Sequence, residues 1–334
     1  MKAAQYSKRG NPPEVVELID DDPGAPGEGE VLIEVLASPI NPSDLLMITG
    51  DYASQPPLPI SPGNEGLGRI IAVGPGVDSP AVGDRVLLPR GSGTWRHQLR
   101  CEARLVPAVA VPAEADPLQI SMLVANPPTA ALMLRDFVAL ETGDWLIQNA
   151  ANSAVGRYLI ALAAADGVGT LNVVRRPGLE AELRELGAPD TTRVLVDGPD
   201  LVERVAELTQ GRAPRLAIDA IGGEATMRLA DSLGEGGVVV NYGLLSGQPC
   251  QISAAATVFR DISLRGFWLA RWYQQATGEA RRALYAELSA LVASGQLRAA
   301  VAATYPLEQI GQALSHAMAD GRNGKVIITP AGDL

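Results

Sequence analysis

A turn of small and polar residues joins an apolar strand-like segment, 145–148, to an apolar helix-like segment, 153–165. The turn, residues 149–156, reads Asn-Ala-Ala-Asn-Ser-Ala-Val-Gly. At this place backbone N–H groups and a helix N-terminus can face a pyrophosphate. Only Gly156 remains of the G-x-G-x-x-G pattern, so a helix cap by Asn152 or Ser153 explains the turn alone equally well.

Two arginines, Arg175 and Arg176, follow the next predicted strand, 170–174, about 20 residues past the turn. An NAD-binding protein places Asp or Glu here, on the ribose 2′-hydroxyl. Two guanidinium groups and no carboxylate favour the 2′-phosphate of NADPH. Arginine pairs at strand ends are often only solvated, but the spacing from the turn makes that the weaker interpretation.

The elements around these residues follow two patterns. Up to about residue 112 the chain is rich in Gly and Pro, with short alternating runs such as 31–36, which predicts a strand-rich, barrel-like lobe. After about residue 116, strands and helices alternate, beginning with a predicted helix at 120–137, which predicts a doubly wound parallel sheet. From about residue 267 the alternation ends, and this tail is expected to pack on the first lobe.

Composition excludes several classes of function. With 334 residues, 47% of them hydrophobic, the chain suits two globular lobes. A net charge of −11 argues against a nucleic-acid partner. Two cysteines, Cys101 and Cys250, build neither a disulfide framework nor a four-thiolate zinc site. Apolar runs such as 159–165 are shorter than the roughly 20 residues that span a bilayer, so no membrane partner is expected.

Several motifs carry a family resemblance over nearly the whole chain. The general ones are Asn41-Pro42-Ser43-Asp44, 82–86, 220–223 and 323–327. The sharper ones are Gly63-Asn64-Glu65-Gly66, 93–96, 125–130, 148–153 and 172–175. Together they resemble the zinc-independent medium-chain dehydrogenase/reductase superfamily, and within it the 2-enoyl thioester reductases (trans-2-enoyl-CoA reductases) of the mitochondrial type. The resemblance implies an α/β fold with a Rossmann domain at 123–267 and a strand-rich GroES-like catalytic domain formed by 1–122 and 268–334.

The residues that hold zinc in the zinc-dependent members of this superfamily are missing. Asn64 stands where those members have the His of a Gly-His-Glu motif, and residues 41–44 contain no cysteine. We therefore expect no metal. The two histidines, His97 and His316, are interpreted as structural, since neither has a partner motif nearby.

The resemblance implies reduction of the carbon–carbon double bond of a 2-enoyl thioester, of coenzyme A or an acyl carrier protein, by NADPH. Tyr52 matches the tyrosine that these reductases use as proton donor or enolate-stabilising group. A phenol with a pKa near 10 is protonated at neutral pH and can donate directly. Two alternatives remain open: an NADPH-dependent quinone or small enone reductase, in which Tyr52 can be a substrate-binding rim residue, and a non-catalytic NADPH-binding sensor.

The resemblance also assigns the other site residues. This chain has Arg175-Arg176-Pro177 where family members often have Arg-Asp-Arg, which leaves both arginines as candidates for the 2′-phosphate, with Arg175 preferred. A homodimer through the edge of the nucleotide-binding lobe is expected. The first residues show no export or transit segment, so we expect a cytoplasmic protein. The implied cofactor contacts are Asn126, Asn152, Ser153, Ala154, Val155, Gly156, Arg175, Arg176, Tyr242, Gly243, Leu244, Leu245, Phe267, Trp268, Leu269 and Lys325.

Overall fold

Glycine and proline keep the elements of residues 1–125 short. The longest strand alternates buried and less buried residues, and its inward residues Val31, Ile33 and Val35 pack with Ile70 and Leu99, as expected for a sheet with one buried face. The elements are strands β1 (Lys2–Tyr6), β2 (Val16–Asp20), β3 (Glu30–Pro39), β4 (Leu67–Val73), β5 (Arg85–Leu87) and β6 (Gln98–Glu102), helices α1 (Pro12–Val15), α2 (Pro42–Thr49) and α3 (Pro117–Ser121), and a 3₁₀ turn at Ala103–Leu105.

Strands and helices alternate from Asn126 to Ala276, as the sequence predicts. The elements are α4 (Asn126–Arg135), β7 (Trp145–Gln148), α5 (Ala154–Ala165), β8 (Gly169–Val174), α6 (Glu180–Arg184), β9 (Thr192–Val196), α7 (Leu201–Leu208), β10 (Leu216–Asp219), α8 (Glu224–Asp231), β11 (Val238–Asn241), a π-helical turn at Ala255–Phe259, β12 (Ser263–Gly266) and α9 (Leu269–Gln275). Strands β7, β8 and β10 are buried along their whole length because helices pack on both faces of the sheet there.

The single helix predicted at 120–137 is wrong. The structure has a helix that ends at Ser121 and a second that begins at Asn126. Two consecutive prolines, Pro127 and Pro128, explain the break, because proline has no backbone N–H and cannot donate to the carbonyl four residues earlier, so it fits only the first turn of a new helix. Apolar residues keep their helical spacing across the break between the two helices, so the pattern alone predicts one helix.

The last part of the chain returns to the sheet of residues 1–125. Strand β14 pairs antiparallel with β3, and β13 pairs parallel with β14, giving the order β13-β14-β3-β4-β5, with β6 also paired to β3. This agrees with the tail predicted to pack on the first lobe. The elements are α10 (Gly278–Ala293), β13 (Val301–Tyr305), a 3₁₀ turn at Leu307–Gln309, α11 (Ile310–Met318) and β14 (Lys325–Ile328).

The computed structural model describes residues 1–332. The chain divides into unit 1, Met1–Ala125 with Thr277–Leu334, and unit 2, Asn126–Ala276. The domain limits predicted from the sequence, 122/123 and 267/268, stay a prediction. No helix among residues 1–332 combines the length and apolar character needed to cross a membrane.

All six strands of unit 2 are parallel, in the order β12-β11-β10-β7-β8-β9. The chain builds β8 and β9 on one side of β7 and then crosses to β10 on the other, so the strand order reverses between β7 and β10. In doubly wound sheets, ligands bind at the carboxyl ends of the strands beside such a reversal. The predicted fold class, a Rossmann sheet with a strand-rich GroES-like domain, is confirmed.

Candidate active site

The turn after β7 has the close packing of a dinucleotide-binding turn. Ser153 caps helix α5, and its hydroxyl accepts a hydrogen bond of 3.1 Å from the Gly156 amide. A Cβ at Gly156 would lie 2.5 Å from the carbonyl oxygen of Ala151, so only glycine lets the helix approach the turn this closely. The N-terminus of α5 and its free amides can therefore receive a phosphate.

Amide side chains fix this turn to the neighbouring strand. The Gln148 side-chain nitrogen donates to the Gly156 carbonyl at 2.9 Å and to Asn172 Oδ1 at 2.8 Å. Asn172 in turn donates to Thr170 Oγ1 at 2.9 Å. All these side chains are buried, so their polar atoms need such partners. The motifs around Gln148 and Asn172 therefore stabilise the carboxyl ends of β7 and β8.

Asp219 is the centre of the strand ends on the other side of β7. Its side chain is fully buried. One carboxylate oxygen accepts from Asn149 Nδ2 at 2.6 Å and from the backbone of Ile221 at 2.9 Å. The other accepts from Thr226 Oγ1 at 2.7 Å and Asn241 Nδ2 at 2.9 Å. One carboxylate thus joins the ends of β7, β10 and β11.

The hydrogen bonds at Asp219 also decide its charge. Burial alone favours the neutral acid, but donors led by Asn149 and Thr226 outweigh burial and lower the pKa of Asp219. Neither Asp219 nor Asn149 is among the site residues predicted from the sequence. The available signal was position, since both residues stand directly at predicted strand ends.

The segment after β11 contacts the turn that follows β7. The Tyr242 hydroxyl shares a hydrogen bond with Ser153, and burial raises the pKa of Tyr242 to about 12. Gly243 passes close to β10, since a Cβ there would lie 2.7 Å from the Ala220 carbonyl oxygen. Leu244 and Leu245 are exposed. The structure thus brings Tyr242 to the predicted pyrophosphate turn and Gly243 to the end of β10.

Arg175 and Arg176 lie where the spacing predicts, directly after β8, and both are exposed. Guanidinium groups at this strand end have the charge and donors that a ribose 2′-phosphate requires. Together with the close-packed turn at Gly156, they fit NADPH better than NAD.

The remaining predicted contacts of unit 2 lie at two other element ends. Phe267 follows β12 and packs edge-to-face on Phe137, with ring centroids 6.2 Å apart. Trp268 is 37% exposed, and Leu269 begins α9. Asn126 is buried at the first residue of α4.

In unit 1, Tyr52 is half-buried just beyond helix α2. Helix α2 begins with a capping box between Asn41 and Asp44 and ends at Gly50, whose φ of 96° is left-handed. The backbone amide of Tyr52 donates to the Leu46 carbonyl at 3.1 Å. The phenol is therefore carried on a short extension of the helix.

Lys325 lies in a buried polar network in unit 1. Its Nζ donates to Asn41 Oδ1, and Asn41 Nδ2 donates to Glu65 Oε1 at 2.8 Å. Glu65 also accepts from the Ala125 amide at 2.8 Å. Burial lowers the pKa of Lys325 to about 8 and raises that of Glu65, and each charge opposes the other's shift. Glu65 lies in a motif that the sequence analysis used only for the resemblance.

Asn64 stands at the position of a zinc ligand and makes a different interaction. Its Nδ2 donates to Asp44 Oδ1 at 2.6 Å. Among residues 1–332 no group of three His, Cys, Asp or Glu side chains is arranged to hold a metal. His97 accepts from the Lys2 amide at 3.0 Å, and His316 contacts the Tyr305 hydroxyl at 3.0 Å. These residues do not fit zinc, and the absence of a metal stays a prediction.

Two family models match the chain. "Alcohol dehydrogenase GroES-like domain" matches residues 27–106, and "Zinc-binding dehydrogenase" matches residues 154–285. The mitochondrial enoyl-[acyl-carrier-protein] reductase of Caenorhabditis elegans is 39% identical over 324 residues, which cover 94% of this chain and 90% of that protein. The Homo sapiens protein of the same name is 36% identical over 335 residues, covering 98% and 88%.

Solved structures resemble the chain over its whole length. A protein assigned as an NADPH:quinone reductase from Bacillus thuringiensis has a TM-score of 0.88 and 33% identity over 98% of both chains. The Etr1p complex with NADP and crotonyl-CoA has a TM-score of 0.87 and 28% identity over 98% of this chain and 99% of that one. The mitochondrial 2-enoyl thioester reductase Etr1p/Etr2p heterodimer from Candida tropicalis has a TM-score of 0.85 and 29% identity, with the same coverage.

The chain belongs to the medium-chain dehydrogenase/reductase superfamily, in the group of the enoyl thioester reductases, and is an oxidoreductase. The predicted family is thereby confirmed, and the NADP-containing neighbour confirms the predicted type of cofactor. The predicted cytoplasmic location is contradicted, because the relatives from Caenorhabditis elegans, Homo sapiens and Arabidopsis thaliana are all named as mitochondrial proteins. The homodimer stays a prediction.

The substitution Asp219→Asn tests whether the Asp219 carboxylate stabilises the ends of β7, β10 and β11. The new amide group would point an N–H at one of the present donors, so we expect unit 2 to lose about 3 kcal/mol of stability at neutral pH. Because the pKa of Asp219 is lowered by folding, its contribution is present above about pH 4 and is lost as the pH falls through the folded-state pKa. Urea unfolding at neutral pH and near pH 3 measures both effects.

Asp190→Asn is the matched control, since Asp190 is exposed. Its stability is expected to stay within about 0.5 kcal/mol of the unaltered protein. Equal stability of the two variants at neutral pH would contradict a central role for Asp219.

Proposed function

We propose that this protein uses NADPH to reduce the carbon–carbon double bond of a 2-enoyl thioester of coenzyme A or an acyl carrier protein. The observation that carries the proposal is 36–39% identity to enoyl-[acyl-carrier-protein] reductases over 94–98% of the chain. A structural neighbour was determined with NADP and crotonyl-CoA, which is a 2-enoyl thioester. Because another structural neighbour is assigned as a quinone reductase, reduction of a quinone is the competing alternative.

The binding of NADPH is assigned to the strand ends of unit 2. The amides at the start of α5 receive the pyrophosphate, and Arg175, with Arg176 beside it, pairs with the 2′-phosphate. NADPH, when bound, supplies a hydride for the β-carbon of the substrate. The other proposed contacts are Asn126, Asn152, Ser153, Ala154, Val155, Gly156, Tyr242, Gly243, Leu244, Leu245, Phe267, Trp268, Leu269 and Lys325.

Tyr52 is proposed as the catalytic acid or enolate-stabilising group. Hydride addition to the β-carbon leaves negative charge on the thioester enolate, and a protonated phenol can donate a hydrogen bond or a proton to it. Tyr52 is half-buried at the end of α2, so it is partly shielded from water without being inaccessible. A phenol needs no prior protonation at neutral pH.

Turnover is tested by following NADPH oxidation by absorbance with crotonyl-CoA, a medium-chain trans-2-enoyl-CoA and a quinone. We expect thioester-dependent oxidation that is faster with NADPH than with NADH. Tyr52→Phe is expected to lower kcat by about 100-fold or more, because it removes the donor, while NADPH binding stays unchanged.

Tyr242→Phe is the matched control, since it also removes a phenol hydroxyl, in this case one that is hydrogen-bonded to Ser153. It is expected to weaken NADPH binding more than it lowers kcat. Turnover of the quinone with none of either thioester would contradict the proposed substrate. Tight NADPH binding with no turnover of any acceptor would favour the sensor alternative.

The phosphate assignment is tested with Arg175→Ala. We expect the KM for NADPH to rise about tenfold or more, because one charge-assisted hydrogen bond contributes about 1.5–3 kcal/mol. The KM for NADH is expected to stay within about twofold, since NADH has no 2′-phosphate. Arg184→Ala, at an exposed position on α6, is the control, and equal changes for both cofactors would overturn the assignment.

We also propose that the protein forms a homodimer through the outer strand of the unit 2 sheet. Strand β12 lies at the edge of the sheet and all four of its residues are exposed. Leu264 on this strand, and Val258 and Phe259 in the preceding π-helical turn, are exposed by 39%, 70% and 80%. An uncovered strand edge beside apolar side chains favours pairing with a second copy.

Phe259→Asp is expected to convert the dimer to a monomer in sedimentation velocity, because it places a charge in the proposed apolar contact. Leu208→Asp, at another exposed apolar position of unit 2, is expected to leave the dimer intact. A monomeric unaltered protein, or a dimer that survives Phe259→Asp, would contradict this interface.

A further inference from the structure

Arg9 contacts the chain on both sides of Tyr52. Its Nη1 donates to the carbonyl oxygen of Met47, in the last turn of α2. Its Nη2 donates to the carbonyl oxygen of Pro56 at 3.0 Å. One guanidinium group therefore connects the last turn of α2 with the segment after Tyr52 at Pro56.

We propose that Arg9 is a positioning residue that holds the 47–56 loop, and with it the phenol of Tyr52, in the geometry used for proton donation. The inference rests on the proposed role of Tyr52. Arg9 contacts the loop only through backbone carbonyls in the bonds described above, so it acts through the loop rather than on the substrate.

The chemistry of this contact suits arginine and not lysine. A planar guanidinium presents several N–H donors in a fixed fork, so it can serve two carbonyls at once. The Met47 carbonyl belongs to a helix terminus, where the last carbonyls lack partners within the helix and a positive charge is favourable. Arg9 also donates to the Tyr6 hydroxyl at 3.4 Å, and its guanidinium carbon lies 5.8 Å from the centre of the Tyr6 ring. Buried Tyr6 thereby fixes the direction of the Arg9 side chain.

A second side chain holds the loop from within. The Gln55 side-chain nitrogen donates to the carbonyl oxygens of Gly50 and, at 2.7 Å, of Tyr52 itself. The amides of Asp51 and Tyr52 both donate to the Leu46 carbonyl, at 2.9 and 3.1 Å. The loop therefore has internal hydrogen bonds of its own. Arg9 links its two ends to the segment after β1, beside the backbone hydrogen bond of 3.1 Å that the Gly10 amide donates to the Ile48 carbonyl.

The test combines kinetics with amide hydrogen exchange in Arg9→Ala. We expect kcat with crotonyl-CoA to fall by about tenfold to 100-fold, because small displacements of a catalytic group have effects of this size. The affinity for NADPH is expected to stay within about twofold. Amide exchange over residues 50–55 is expected to accelerate, since the amides of Gly50, Asp51 and Tyr52, which all donate to the Leu46 carbonyl, lose the stabilising contacts of Arg9 beside them.

A double-mutant cycle separates positioning from a general loss of structure. If Arg9 acts through the phenol, adding Arg9→Ala to Tyr52→Phe lowers kcat little further, whereas independent effects would multiply. Arg9→Lys keeps the charge but not the fork, so an intermediate kcat is expected. It also keeps the test available if Arg9→Ala does not fold.

Lys8→Ala is the matched control, since it removes a positive charge from the adjacent, exposed position. It is expected to change neither kcat nor exchange over 50–55. Arg9→Ala that behaves like Lys8→Ala, or whose loss of kcat multiplies with that of Tyr52→Phe, overturns the positioning role. If the unaltered protein reduces no enoyl thioester but Arg9→Ala still accelerates exchange over 50–55, the proposed function fails, while the role of Arg9 in holding the 47–56 loop is supported.

Discussion

The carboxylate of Asp219 holds together the strand ends on which the cofactor site depends. Parallel strands bring their carboxyl ends to one edge, but the pairing of backbones does not fix the loops that follow. Asp219 fixes them by accepting hydrogen bonds from Asn149, Asn241 and the turn at Ile221. Because the group is fully buried, each of these donors would be costly to leave without a partner. The pyrophosphate turn and the Tyr242 segment therefore keep one geometry.

Unit 1 uses the same principle for helix α2. Asn41 at its N-terminus links buried Lys325 to buried Glu65, and Asp44 in its first turn receives Asn64. Arg9 and Gln55 act at the other end. The helix that precedes Tyr52 is thus fixed at both ends by residues distant in sequence, Lys325 and Glu65 at the first end and Arg9 at the last. Its position depends on polar contacts as much as on apolar packing.

The sequence predicts the short strands of unit 1 and the βα order of unit 2 well, because both depend on the spacing of apolar residues that are close together in the chain. Spacing alone places Arg175 at a strand end. The helix at 120–137 was wrong because the apolar period continues across Pro127 and Pro128. Asp219, Glu65 and Arg9 escaped selection for another reason: each is one charged residue among many until the fold brings its partners to it. Their importance lies in contacts between residues far apart in the chain.

The pairing of β14 with β3 sets the order in which the protein can be assembled. Within the described residues, every strand of the unit 2 sheet comes from one uninterrupted stretch of chain, Asn126–Ala276. That sheet can therefore form while the polypeptide is still being synthesised. The sheet of unit 1 must wait for β14, which follows all of unit 2 in the chain, before β3 gains its last neighbour. During that interval the end of β3 that pairs with β14 is uncovered, and Asn41 and Glu65 lack the Lys325 ammonium group, so we expect the amino-terminal part of a nascent chain to need protection from non-native pairing.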